Sequence, residues 1–190
     1  FKSRQKLMDE TALPGTVERF ALAETIRDAL TEAGYVAIGY DHYAAPDDPL
    51  AVAARDGALE RNFQGFVETQ CDALIGLGPS AISTLPQGYA QNEPEVGAWR
   101  EAALAQRFAT KRGRAVTGDD RVRRDLIMRL LCDFTVDLRR HGGADKYQAE
   151  LAALAPLIGD GLAELSGATL SIPEQARPFA RLVAQAFDAY

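Results

Sequence analysis

Cysteine, histidine and tryptophan are scarce in this chain, with two, two and one among 190 residues. Cys71 and Cys132 stand far apart and form no CxxC pair, which excludes disulfide frameworks and zinc fingers and favours a reducing, cytoplasmic compartment. Two thiols and two distant histidines, His42 and His141, do not make a metal site, so no metal ligand is assigned. Both cysteines read as packed or idle, and His141, beside Gly142-Gly143, as a loop residue. Long apolar runs are also missing. The longest stretch without a formal charge, Ala73 to Asn92, holds Gly76, Gly78, Pro79, Pro86 and Gly88, so no membrane span is expected. No basic-then-apolar leader opens the sequence, and a start at Phe1 rather than Met suggests a piece of a longer protein.

What is present is the mixture of a folded soluble chain, 47% apolar and 25% charged, long enough to bury roughly 70% of its unfolded surface. Residues 1–110 carry 9 basic and 16 acidic side chains and residues 111–190 carry 12 and 11, for a net charge of −6. That balance argues against nucleic-acid binding. Residues 111–140 are locally basic, nine cations against five carboxylates, a stretch suited to a polycarboxylate but more often a solvated face laced with ion pairs.

Pro14, Gly34 and apolar residues at Leu22, Ile26, Ala29, Leu30 and Ala33 predict an amphipathic helix over 15–33, expected to cover a sheet. The β-rich run Tyr35 to Tyr40 follows, and helix then strand suggests part of an α/β layer. Strand or strand-edge segments are expected at 62–66 and 74–78, a helix with Trp99 at 93–106, and a strand at 108–116. From Thr117 the composition changes. Helices are predicted from there and at 145–157, a hairpin about Ser166-Gly167, and a last helix presenting Phe179, Leu182, Val183, Ala186 and Phe187, an arrangement resembling a small winged helix.

Three segments carry candidate chemistry. Asp41-His42 ends a predicted strand and offers an acid, base or orienting pair, although neighbours on an extended chain point to opposite faces. Arg61-Asn62-Phe63-Gln64-Gly65 combines a cation, two amides and a ring, suited to stacking on and edge hydrogen bonds to a purine, and equally to a sheet edge. Gly76-Leu77-Gly78-Pro79-Ser80-Ala81 is a relaxed G-x-G-x-x-A, but Pro86 follows too soon for a phosphate-binding helix, so a tight turn is the default reading.

Taken in order, Gly39-Tyr40-Asp41-His42-Tyr43-Ala44, Arg61 to Phe66, Gly76 to Ser83 and Tyr89-Ala90-Gln91-Asn92 resemble one family, oxygen-independent coproporphyrinogen III oxidase. The resemblance continues through Arg123-Arg124-Asp125, Cys132-Asp133-Phe134 and Asp160-Gly161-Leu162 to Phe187-Asp188-Ala189-Tyr190, while Pro173, Ala176 and Leu182 depart from the family's Thr, Gly and Asn. It implies an α/β chain: the C-terminal part of a partial (β/α) barrel, residues 1–113, followed by a small, mostly α, winged-helix-like domain, residues 114–190. It further implies a radical S-adenosylmethionine (SAM) enzyme with a 4Fe-4S cluster and an electron donor, acting in haem biosynthesis. Such an enzyme oxidatively decarboxylates coproporphyrinogen III to protoporphyrinogen IX. The family's C-x3-C-x2-C cluster motif does not occur here, so the chain alone is expected to be inert and to pack on an N-terminal domain. By the same resemblance Phe63 and Gln64 are active-site residues, and Ile82, with Gly76 and Gly78, lies beside SAM. Asp41 and His42 match the family motif, which implies a supporting or substrate-facing role for them, and Arg61 is a candidate for the substrate-facing side. The alternative is a haem- or porphyrin-binding chaperone paralogue without oxidase activity, which usually differs at the Asp-His-Tyr and Asn-Phe-Gln-Gly motifs.

Overall fold

A computed structural model describes residues 9, 12–69 and 71–189. Tyr190, the end of the last resembling motif, and the first residues of the 1–113 unit lie outside them.

Helix α1 (Thr16–Glu32) begins after Pro14, with Glu18 accepting from the Gly15 amide, and stops at Gly34, whose positive φ lets Tyr35 N–H return to Leu30 O at 3.0 Å. Its start and stop follow the expectation. Its role does not, because no α1 residue is buried and Val17, Leu22 and Ile26 stand in solvent. Strand β1 (Val36–Ile38) is likewise not one layer of an α/β sheet: it folds straight back on β2 (His42–Ala44) as an antiparallel hairpin. Gly39 occupies the turn at φ +57°, and a Cβ there would lie 2.0 Å from the Phe66 ring, so both backbone and packing require glycine.

Helix α2 (Pro49–Arg55) is capped by Asp48 and leads to a second hairpin, β3 (Glu60–Arg61) and β4 (Phe66–Val67). These pieces enclose a small core of Ile38, Ala44, Ala51, Ala53, Leu59 and Phe66, closed by Cys132. A three-stranded antiparallel sheet follows, ordered β5 (Ile82–Leu85), β6 (Gly88–Asn92), β7 (Thr110–Ala115), with α3 (Val96–Leu104) between β6 and β7. The basic side chains of β7 face solvent, and every β7 residue is exposed. The segment at 74–78 contributes only one bridge, Leu74 to Thr84, instead of a strand.

Helix α4 (Gly118–Cys132) starts where the sequence places it. Thr117 Oγ1 accepts from the Asp120 amide and the Asp120 carboxylate accepts from Thr117 N–H at 2.7 Å. Leu126, Leu130 and Leu131 recur at helical spacing and enter the larger core with Leu138, Tyr147, Leu154, Leu170, Val183 and Phe187. Strand β8 (Thr135–Asp137) pairs with the hairpin β9 (Glu164–Ser166) and β10 (Thr169–Ser171), whose turn uses Gly167 at φ +60°. Helix α5 (Gln148–Gly159) lies between.

Two expectations are corrected here. The single C-terminal helix is a 3-10 turn, Glu174–Phe179, that accommodates Pro178, followed by α6 (Ala180–Gln185), and Leu182 points outward. His141 is not a loop side chain but buried, on a 3-10 turn, with its carbonyl accepting from the buried Tyr147 hydroxyl at 2.8 Å. The basic stretch is laced with ion pairs: Arg123 to Asp119 and Glu150, Arg129 to Glu60 and Asp133, and Arg139 to Asp137.

Candidate functional site

The first group of candidates is built by the two hairpins. Asp41 stands in the β1–β2 turn, not on an extended strand, and the alternation expected of neighbours therefore fails: its Oδ1 lies 2.6 Å from His42 Nδ1. Both side chains are about half exposed. The His42 ring meets Phe66 edge-on at 5.2 Å, and a Cβ on Gly65 would come to 3.6 Å from His42 Nε2. Carboxylate, imidazole and the 62–65 turn are thereby locked into one assembly, with one imidazole nitrogen held by Asp41.

Residues 62–65 are the tip of the β3–β4 hairpin. Asn62 builds it alone, its Oδ1 accepting from the Gln64 and Gly65 amides at 2.8 and 3.3 Å while its own N–H donates to Gly65 O. Phe63 and Gln64 are consequently presented outward, Phe63 with 56% of its surface exposed. Arg61, at the base, faces the Tyr40 and Phe66 rings at 5.8 Å each, and its Nε is buried without a hydrogen-bond partner.

The second group surrounds the glycine-rich loop. This loop runs into β5 rather than into a helix, so no helix N-terminus faces a ligand, in line with the turn reading. Asn92 Nδ2 donates to Gly76 O and Gly78 O at 3.1 and 3.0 Å, Ser83 Oγ accepts from Gly76 N–H, and Gln91 Nε2 donates to Ser80 O. The glycines have different reasons. A Cβ at Gly76 would strike the Ile82 backbone at 2.8 Å, so that face is filled by the protein itself; at Gly78, φ +101° sets the requirement and the space beyond is open. Of the two, Gly78 leaves room for a ligand to reach the backbone.

Phe63 joins the groups by meeting the Tyr89 ring edge-on at 5.3 Å, and the Arg124 guanidinium lies 6.0 Å from the same ring. The contact brings the hairpin tip to the sheet that carries Ile82. In the sequence Asn92, Gln91 and Tyr89 stand only as parts of a motif; their work as clamp and linker spans many residues and leaves no local spacing signal. Cys71 is exposed and Cys132 buried, its thiol pushed up to about 12 chiefly by burial, and no three His, Cys, Asp or Glu converge among the described residues.

No protein-family model matches the chain. Over its whole length, however, it is 45% identical to the oxygen-independent coproporphyrinogen III oxidase of Bradyrhizobium diazoefficiens, covering 43% of that protein. It is 37% identical to the Escherichia coli protein of the same name, again over all of the chain and 43% of the relative. The chain is a homologue of the oxygen-independent coproporphyrinogen III oxidases. A solved structure agrees: the coproporphyrinogen III oxidase HemN from Escherichia coli, a radical SAM enzyme, matches with a TM-score of 0.89 at 36% identity. The match covers 98% of this chain and 44% of that one. The chain thus spans less than half the length of these oxidases, and its mixed helix and sheet fold is theirs over that span.

Proposed function

We propose that this chain is the C-terminal share of a radical SAM enzyme that decarboxylates coproporphyrinogen III oxidatively to protoporphyrinogen IX, with residues 1–113 in its catalytic region and 114–190 in a smaller domain. The observation that carries the reading is homology to part of the oxidases along the whole of this chain, 45% identical in the first case, joined to one shared fold over that span. A cytoplasmic site of action accords with the reducing compartment that the cysteine usage favours. Among the described residues no helix is long and apolar enough to cross a membrane.

The residues present do not fit a 4Fe-4S cluster: one thiol is exposed, the other buried and protonated, and no third ligand converges with either. They do fit a share in holding SAM, because Gly78 opens backbone to approach, Ile82 offers an aliphatic surface, and the Phe63 ring and Gln64 amide are exposed at a turn fixed by Asn62. When bound, SAM supplies the hydrogen-abstracting species, and this chain's part is to position and to exclude water. Asp41 and His42 form a hydrogen-bonded pair suited to orienting substrate, with Arg61 behind them. The uncovered apolar side chains of α1 pack, in this reading, on the remainder of the longer protein.

The test is anaerobic turnover by the full-length protein, supplied with iron, sulfide, SAM and a reductant. Protoporphyrinogen IX together with 5′-deoxyadenosine is the expected result, and Gln64→Ala or Ile82→Asp lowers its formation while the fold persists. Stoichiometric haem binding without SAM cleavage would make the protein a porphyrin carrier instead.

A further inference from the structure

A cavity of about 510 Å³ opens between the Glu60–Val67 hairpin, the residues Glu68, Thr69, Cys71 and Leu74, and helix α4. Three arginines line it, Arg61, Arg121 and Arg124, and Arg61 is shared with a second cavity on its Tyr40 side. Arg121 is committed, donating from Nη2 to Pro86 O at 2.9 Å. The Arg61 guanidinium lies by the Tyr40 and Phe66 rings and that of Arg124 by the Tyr89 ring, and among the described residues neither side chain donates a hydrogen bond or pairs with a carboxylate. Among the described residues no carboxylate on the wall is in ion-pair contact with either of them. Glu60 is held by Arg129 at 2.9 Å, Asp125 lies 3.7 Å from His141 Nδ1, and Glu68 is exposed to solvent. Val67, Leu74 and Met128 supply an apolar side. Two unpaired guanidiniums beside an apolar wall suit a carboxylate carried on an apolar body, since guanidinium binds carboxylate in a fork and gains when partly desolvated.

We propose that this cavity binds a propionate carboxylate of the porphyrinogen substrate through Arg124 and Arg61, and so fixes the ring against the Phe63-Gln64 turn. The inference rests on the proposed function, because it takes the substrate from that reading. Coproporphyrinogen III presents four propionates, and a carboxylate anchored here is gripped, not decarboxylated. Arg61 and Arg124 are positioning residues. Asn62, whose side chain forms the Phe63-Gln64 turn, also lines the cavity, so anchor and turn are built from one hairpin.

The experiment uses the full-length protein and two probes, coproporphyrin III and its tetra-amide, titrated by fluorescence. Alongside runs anaerobic turnover by wild type, Arg124→Gln, Arg124→Lys and Arg61→Gln. The expected result for Arg124→Gln is coproporphyrin III binding weaker by about tenfold or more, a raised KM with kcat changed less, unchanged tetra-amide binding, and partial recovery in Arg124→Lys. Equal losses for acid and amide would overturn the inference, reducing these arginines to packing. Unchanged acid binding and KM in both Gln variants, with wild type active, would overturn it while leaving the oxidase reading intact. A cluster-loaded wild type that neither binds coproporphyrin III nor turns over its reduced form would remove both readings together.

Discussion

Helix α1 and helix α4 are both long, both capped at their N-termini and both apolar at helical spacing, yet one buries nothing and the other is the spine of the larger core. Leu126 and Leu130 of α4 are fully buried, whereas Ile26 of α1 keeps 56% of its surface exposed. The difference teaches that periodicity announces a face and not its partner. In α4 the partner is local, supplied by β8, β10 and α6 within about sixty residues. In α1 the only ring stacked on the helix among the described residues is Phe179, set against Phe20 at 5.7 Å.

The sharpest way to break the comparison is truncation on each side. Phe187→Ala in the larger core is expected to cost about 3–5 kcal/mol in urea unfolding, the range for emptying a fully buried aromatic site. Ile26→Ala in the same chain should stay within about 0.5 kcal/mol, as for an exposed position. Comparable losses at both would show that α1 has a partner in the isolated chain. A smaller effect is expected at the site: Asn92→Ala removes two hydrogen bonds to the glycine-rich loop, about 1–3 kcal/mol together. Hydrogen exchange should quicken at Gly76 and at the Ser80 amide, which donates to Glu93 O, while α4 amides keep their protection.

The smallest effect concerns pH. Lys146 and Arg123 hydrogen-bond the Asp119 carboxylate and hold it below its ordinary range. A carboxylate so depressed stabilises the fold above its unfolded pKa near 3.8 and ceases to do so as pH falls through the lower folded value. Asp119→Asn should therefore be slightly less stable than wild type at neutral pH, with the gap closing in acid. A gap independent of pH would assign the loss to geometry.

Capping chemistry made much of the fold legible. Thr117 with Asp120, Pro14 with Gly34, and Ser166-Gly167 act within a few residues, so sequence spacing and structure describe the same event. Pairing was less legible. The Val36–Ile38 run is as apolar as a layer strand, and only the Gly39 turn, pressed against Phe66 from a distant hairpin, decides that it doubles back. The burial of His141 is not legible locally, because a Gly-Gly neighbour looks like solvent, while the Tyr147 hydroxyl sealing its carbonyl is a tertiary matter. In the candidate site, Asp41-His42 and Phe63-Gln64 were visible as chemistry, but the clamp by Asn92 and the Phe63–Tyr89 link depend on contacts across many residues.

Arg129 ties these regions together. Reaching back from α4, it binds Glu60 and the Leu59 carbonyl at the base of the hairpin that carries Phe63 and Gln64. The helix that holds Arg129 is itself packed against α6 and receives Phe187 O on Arg123. On a ribosome adding about 5–20 residues per second, the hairpin emerges seconds before the helix that braces it. The candidate site is therefore assembled late, by its downstream neighbour, and a nascent chain stalled before α4 would display these side chains without their scaffold.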